Sequence, residues 1–132
     1  MPLITWDDSF SINDIEIDNQ HKKWISIANK LDDALMQRKE LNEVTEKTLE
    51  AMIAYTHFHF SYEEAHMEKL KFPGLSGHQN VHFKFMKKIE QFQRDHQAGG
   101  IVLCSAIMKE ITNWFLNHIL IEDQQFKNYT ND

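Results

Sequence analysis

Four stretches of this chain repeat apolar residues at steps of three and four, and each stretch sets at least one histidine on its apolar side. That pattern commits the chain to amphipathic helices whose buried faces carry imidazoles. His21, Trp24, Ile25, Ile27, Ala28, Leu31 and Leu35 form the first stripe. Asp18 is its predicted N-cap, and the helix is expected to run to about Arg38. Asn42 is predicted to cap a second helix reaching about Leu70, with Val44, Leu49, Met52, Ile53, Thr56, His59, Phe60, Glu63 and Met67 to one side. Phe72-Pro73-Gly74-Leu75 must interrupt it, because proline disfavours helix in the residue before it.

Ser76 and Gln79 read as a capping box opening a third helix with His78, His82, Phe85, Met86, Ile89 and Phe92 inward, and Gly99-Gly100 closes the loop after it. The fourth helix is expected from about Ile101 to about Phe126, through Ile107, Ile111, Trp114, Phe115, His118 and Ile119. Short connections make neighbours antiparallel, so the expected fold is an all-α, up-down-up-down four-helix bundle. Residues 1–17 read as an extended arm, with Trp6, Phe10, Ile12, Ile15 and Ile17 able to pack down, and the bundle spans 18–128 of a single 1–132 domain.

Composition narrows the partners. The net charge of −6 argues against nucleic acid or an anionic membrane, since both require a basic face. The N-terminus has no basic, long apolar leader, and no apolar run approaches the roughly 18 residues of a membrane span. The lone Cys104 forbids an internal disulfide. A cytoplasmic monomer is the expectation.

The polar residues on the stripes carry the chemistry. His59 and Glu63 are four apart, as are His78 and His82, so each pair projects from nearly one side of its helix. His118 and Asp123 are five apart, and His21 stands alone on the first stripe. One histidine on an apolar face is ordinary core. Five imidazoles with two inward carboxylates are expensive to bury unless a metal satisfies them. Imidazole and carboxylate without thiolate suit iron, zinc, copper or manganese. Seven donors exceed one tetrahedral zinc. Two octahedral irons sharing both carboxylates and a solvent-derived oxygen would use them and leave one position open.

Four motifs, Ile17-Asp18-Asn19-Gln20-His21, His59-Phe60-Ser61-Tyr62-Glu63-Glu64 with Met67, His78-Gln79-Asn80-Val81-His82, and Trp114-Phe115-Leu116-Asn117-His118-Ile119 with Asp123, follow one another along nearly the whole chain. With the Trp6-Asp7-Asp8 start, they make the chain resemble the hemerythrins, specifically the single-domain bacteriohemerythrins. Myohemerythrin, an established up-down-up-down bundle, is itself a member of that family. The resemblance implies a non-haem Fe–O–Fe centre with two irons per chain. His78, His82 and His118 would hold one iron, His21 and His59 the other, and Glu63 and Asp123 would bridge them. Dioxygen would bind at the second iron as a hydroperoxide, for transport, storage or delivery to an oxygen-consuming enzyme. The alternatives are an oxygen or redox sensor, or a diiron enzyme of the peroxidase or nitric oxide reductase type. Histidine-rich ligation with no evident proton donor favours a binding protein over an enzyme. Trp24, Phe60, Trp114, Phe115 and Leu120 are the expected apolar wall of the oxygen pocket.

Three histidines stay outside this set. His57, about 200° from His59, is expected at the surface, and His96 near a helix C-terminus complements the dipole. His66 completes a single Glu-x-x-His, whereas ferritin-like diiron proteins need that pattern twice.

Overall fold

The structure, a computed structural model, describes residues 4–36, 43–98 and 105–127. These form α1 (Ile15–Met36), α2 (Glu43–Lys69), α3 (Leu75–Gln97) and α4 (Ser105–Asn117) of a four-helix bundle, with no strand among the described residues. α4 continues without a break into a π-helical segment, π1 (His118–Asp123), and ends in a last α turn, α5 (Gln124–Phe126). The expected cap Asn42, the loop glycines Gly99 and Gly100, the fourth-helix start at Ile101 and Cys104 lie outside the described residues, as do Arg38 and the side chains of Val44 and Ile107.

Two expected helix starts move. α1 begins at Ile15 because Asp14 is its cap: the Ile17 N–H donates to Asp14 Oδ1 at 3.0 Å. Asp18 instead ties down the arm, accepting from Ser11 Oγ at 2.6 Å and from the Ile12 N–H at 2.9 Å. The arm therefore ends at Asp14, and Ile15, 82% exposed, does not pack down as Ile12 and Ile17 do. α3 begins at Leu75 with Gly74 as its cap residue and no side-chain cap, so Ser76 closes no capping box. A Cβ at Gly74 would lie 2.7 Å from the Phe72 ring, which explains a glycine there.

α2 stops in a left-handed turn at Lys71 (φ 56°), with the Phe72 N–H returned to Met67 O at 2.9 Å. This 6→1 closure satisfies an otherwise orphaned carbonyl and drops Phe72 into the core. Phe72 joins Ile12, Ile17, Met67 and Phe126 in a small apolar cluster. The larger cluster includes Trp24, Leu31, Met52, Phe85, Ile111 and Phe115. On α1, His21 falls between Ile17 of the first cluster and Trp24 of the second; on α2, Glu63 falls between Met67 and Phe60. The polar cage thus sits between two apolar plugs.

Candidate metal centre

The four helices converge all seven side chains singled out by spacing. Their donor atoms form two groups, each within 4.8 Å internally: Glu63, His78, His82, His118 and Asp123 in one, His21, His59, Glu63 and Asp123 in the other. Glu63 and Asp123 belong to both. Each carboxylate turns one oxygen to each half. Glu63 Oε1 lies 2.8 Å from His78 Nε2 and 3.1 Å from His82 Nε2, while Oε2 lies 3.4 Å from His59 Nε2. Asp123 Oδ1 lies 2.8 Å from His78 Nε2 and 3.2 Å from His118 Nε2, while Oδ2 lies 3.1 Å from His21 Nε2.

The π segment explains how Asp123 arrives. In a regular α-helix, residues five apart point about 140° from one another, which would turn Asp123 away from His118. The i→i+5 pattern of a π turn returns them to one side, and both are buried. The wider turn carries Ile121 outward, and Leu120, two residues after His118, faces away from the cage with or without it. Leu120 is 42% exposed and does not join the wall of the cage, contrary to expectation.

The other four wall residues hold different posts. The Phe60 ring stacks on His82 at 3.8 Å between centroids, nearly parallel at 3°. Phe115 sets its edge against His21 at 5.8 Å, and Trp24 stacks behind it at 3.8 Å, one layer removed from the imidazoles. Trp24 anchors its indole by donating Nε1–H to Thr56 Oγ1 at 2.9 Å. Trp114, half-buried, stacks on His118 at 5.4 Å and on Phe85 at 4.1 Å.

An outer layer holds the imidazoles by their far nitrogens. His59 Nδ1 lies 2.8 Å from Gln20 Oε1, and His82 Nδ1 lies 2.7 Å from Glu64 Oε2. His118 Nδ1 lies 3.5 Å from Glu122 Oε1, at ion-pair distance but beyond a good hydrogen bond. Spacing does not reveal Gln20, whereas Glu122 stands four residues after His118, the spacing already used for the other pairs; Gln20, Glu64 and Glu122 each also adjoin a cage residue in sequence. The remaining histidines are paired elsewhere: His57 with Glu90 at the surface (3.6 Å), His66 with Asp14 (3.1 Å) and His96 with Glu46 (3.0 Å). His96 is buried, so its pairing with Glu46 joins the dipole as a reason for its place.

Without a cation the cage is electrostatically awkward. Burial opposes charge on His21 and His78, yet hydrogen bonds to Asp123 and Glu63, with the charges of both, lift each to about 9. His118 is lifted to about 10 against burial, by the Asp123 charge and by Glu122 and Glu63. Burial dominates at His59 and lowers it. Burial works against charge on both carboxylates, and at Asp123 so does the charge of Glu63; Glu63 is held ionised by hydrogen bonds from His118, His21 and His59, and Asp123 by the charge of His118 with His21 and His78. Even so, His21 Nε2, His59 Nε2, Glu63 Oε2 and both Asp123 oxygens lack a hydrogen bond of acceptable geometry. His82 Nε2 and His118 Nε2 face each other at 2.9 Å, where one of two like nitrogens must accept. Orphaned lone pairs converging on two points, from imidazole and carboxylate only, fit two cations that take nitrogen and oxygen donors.

Comparison with known proteins agrees with this chemistry. The family model described as the hemerythrin HHE cation binding domain matches residues 15–129. The bacteriohemerythrin of Stenotrophomonas maltophilia is 32% identical over 128 residues, 96% of this chain and 80% of that protein. The bacteriohemerythrin of Methylococcus capsulatus is 31% identical over 122 residues, 90% of each chain. A crystal structure of wild-type hemerythrin superposes with a TM-score of 0.91 at 27% identity, covering 98% of this chain and 99% of that one. A leucine-to-alanine variant of hemerythrin gives 0.92 at 28% identity over all of both chains.

Proposed function

The chain belongs to the hemerythrin family, and from that premise we propose that it binds dioxygen reversibly at a centre of two irons. Carriage, storage or delivery to an oxygen-consuming enzyme is then its role, rather than catalysis. His78, His82 and His118 hold one iron, His21 and His59 the other, and Glu63 and Asp123 bridge them. The observation that carries this reading is the sharing of both carboxylates between two donor groups, each carboxylate offering one oxygen to either side. When bound, the iron pair supplies the electrons with which dioxygen is held and later released.

The protein's own residues orient and exclude. Gln20 and Glu64 fix the His59 and His82 rings so that each Nε2 faces inward. Phe115, edge-on to His21, and Phe60, stacked on His82, set apolar rings against the imidazoles, which keeps out the water and protons that would discharge a held ligand. His21, His59, Glu63, His118 and Asp123 are all at most 1% exposed. We place the protein as a one-domain cytoplasmic monomer. No helix among the described residues is long and apolar enough to cross a membrane.

The test is the visible spectrum of the protein loaded with ferrous iron, recorded under oxygen and then under argon. A band that appears with oxygen and disappears on degassing is expected. Rapid, irreversible oxidation would overturn carriage and leave a sensor or a diiron enzyme.

A further inference from the structure

The two halves of the cage are backed by different chemistry. On the three-histidine side, His82 leans on the carboxylate of Glu64 at 2.7 Å, while His118 Nδ1 has no hydrogen bond and only the charge of Glu122 at 3.5 Å. On the two-histidine side, His21 Nδ1 has no hydrogen-bond partner and His59 Nδ1 meets the amide of Gln20. That amide has a fixed direction. Gln20 Nε2 donates to Glu16 Oε1 at 3.2 Å, which turns Oε1 to His59. A carboxylate therefore stands one residue further back on this side, with a buried neutral amide between it and the ring.

A carboxylate on the far nitrogen makes an imidazole a stronger donor to its metal than an amide does. We propose that the Glu16–Gln20 pair withholds a carboxylate from His59, making Gln20 a positioning residue that keeps the two-histidine half the weaker metal site. The three-histidine half, with Glu64 behind His82, fills first and tightest. The inference rests on the two-metal reading above and adds to it an order of filling and the residues that set it. It has a functional consequence, because the weaker half is the one with fewer protein ligands and so the one able to admit an exogenous molecule.

The test swaps the two groups without changing size or net charge. Ferrous iron is titrated under argon into the metal-stripped full chain, and binding is followed by calorimetry. The wild type is expected to bind two ions in two resolved steps. The double variant Glu16→Gln/Gln20→Glu, which moves the carboxylate onto His59, is expected to tighten the weaker step on the order of tenfold and leave the stronger one in place. Glu64→Gln is expected to weaken the stronger step roughly 10- to 100-fold. A merely structural role for Gln20 could only weaken binding, so the sign of the change decides. Two bound ions with steps blind to the swap, or a Glu64→Gln protein with an unchanged stronger step, overturns this inference alone. Fewer than two ions bound to the wild type overturns the diiron reading with it.

Discussion

Metal-stripped protein should lose stability as pH rises, a fall that the metal-loaded form should not share. In the stripped cage, His21 and His78 titrate near 9 and His118 near 10, against about 6.5 when unfolded. A group raised on folding contributes its full stabilisation below the unfolded value, and loses it as pH climbs through the folded value. The window therefore opens at pH 6.5 and closes at about 9 for His21 and His78 and about 10 for His118. One imidazole moved by 2.5 pH units corresponds to about 3 kcal/mol across it. The three draw on the same two carboxylates, so their contributions do not add, and a single imidazole sets the scale. For a chain of this length, about 3 kcal/mol is a fall of roughly 10 °C in melting temperature. The assay is thermal melting by circular dichroism in excess chelator at pH 6.5, 8 and 9.5, with the iron-loaded protein alongside. Bound metal holds the imidazoles neutral, so the loaded protein should show no comparable fall. A stripped protein whose melting temperature is flat or rising over this window would refute the electrostatic account of the cage.

Other perturbations isolate single parts. His78→Ala or Glu63→Ala should bring bound iron, measured by elemental analysis, well below two per chain; unchanged stoichiometry would remove the ligand assignment. Thr56→Val strands the buried Trp24 Nε1–H and should cost about 1–3 kcal/mol in denaturant unfolding. Phe60→Ala removes the ring stacked on His82 and should cost about 3–5 kcal/mol, with faster bleaching of the loaded protein in air; a stable variant that bleaches at the wild-type rate would contradict its role in excluding water. Leu120→Ala, at an exposed position, should change stability by less than about 0.5 kcal/mol and leave the spectrum intact.

Legibility in the sequence follows the regularity of the backbone. His59 with Glu63 and His78 with His82 can be placed because an α-helix puts residues four apart on one side, and α2 and α3 are regular there. His118 and Asp123 stand out by residue type, but nothing in His118-Ile119-Leu120-Ile121-Glu122-Asp123 announces a π turn, so helical spacing alone would turn Asp123 away from His118, while Leu120, two residues from His118, points outward on either kind of helix. Asp18 passes for a cap because Asp14 and Asp18 are equally good cap residues. The choice between them is made by the arm, which places Ser11 and Ile12 where only Asp18 can receive them. Ser76 loses its role to a packing contact, the Phe72 ring against Gly74, that no local rule contains. Gln20 stays hidden because its task is defined by an imidazole 39 residues away, whereas Glu122 sits four residues from His118 and is within reach of the spacing rule.

The π turn acts on the last helix as a change of reading frame acts on a message. Everything after it is offset by one place from what Trp114 and His118 would dictate, and two separate structures depend on the offset being there. Asp123 reaches the cage, and three residues later Phe126 closes on Phe72 at 5.1 Å, beside Gln124, whose amide donates to Ser11 O of the arm at 3.3 Å. The final turn is thus addressed by counting from Asp123. Between His118 and Asp123, length carries more information than side chain: the outward residues there are free to vary in identity, while adding or removing one would scramble the metal centre and the latch of the arm in the same stroke.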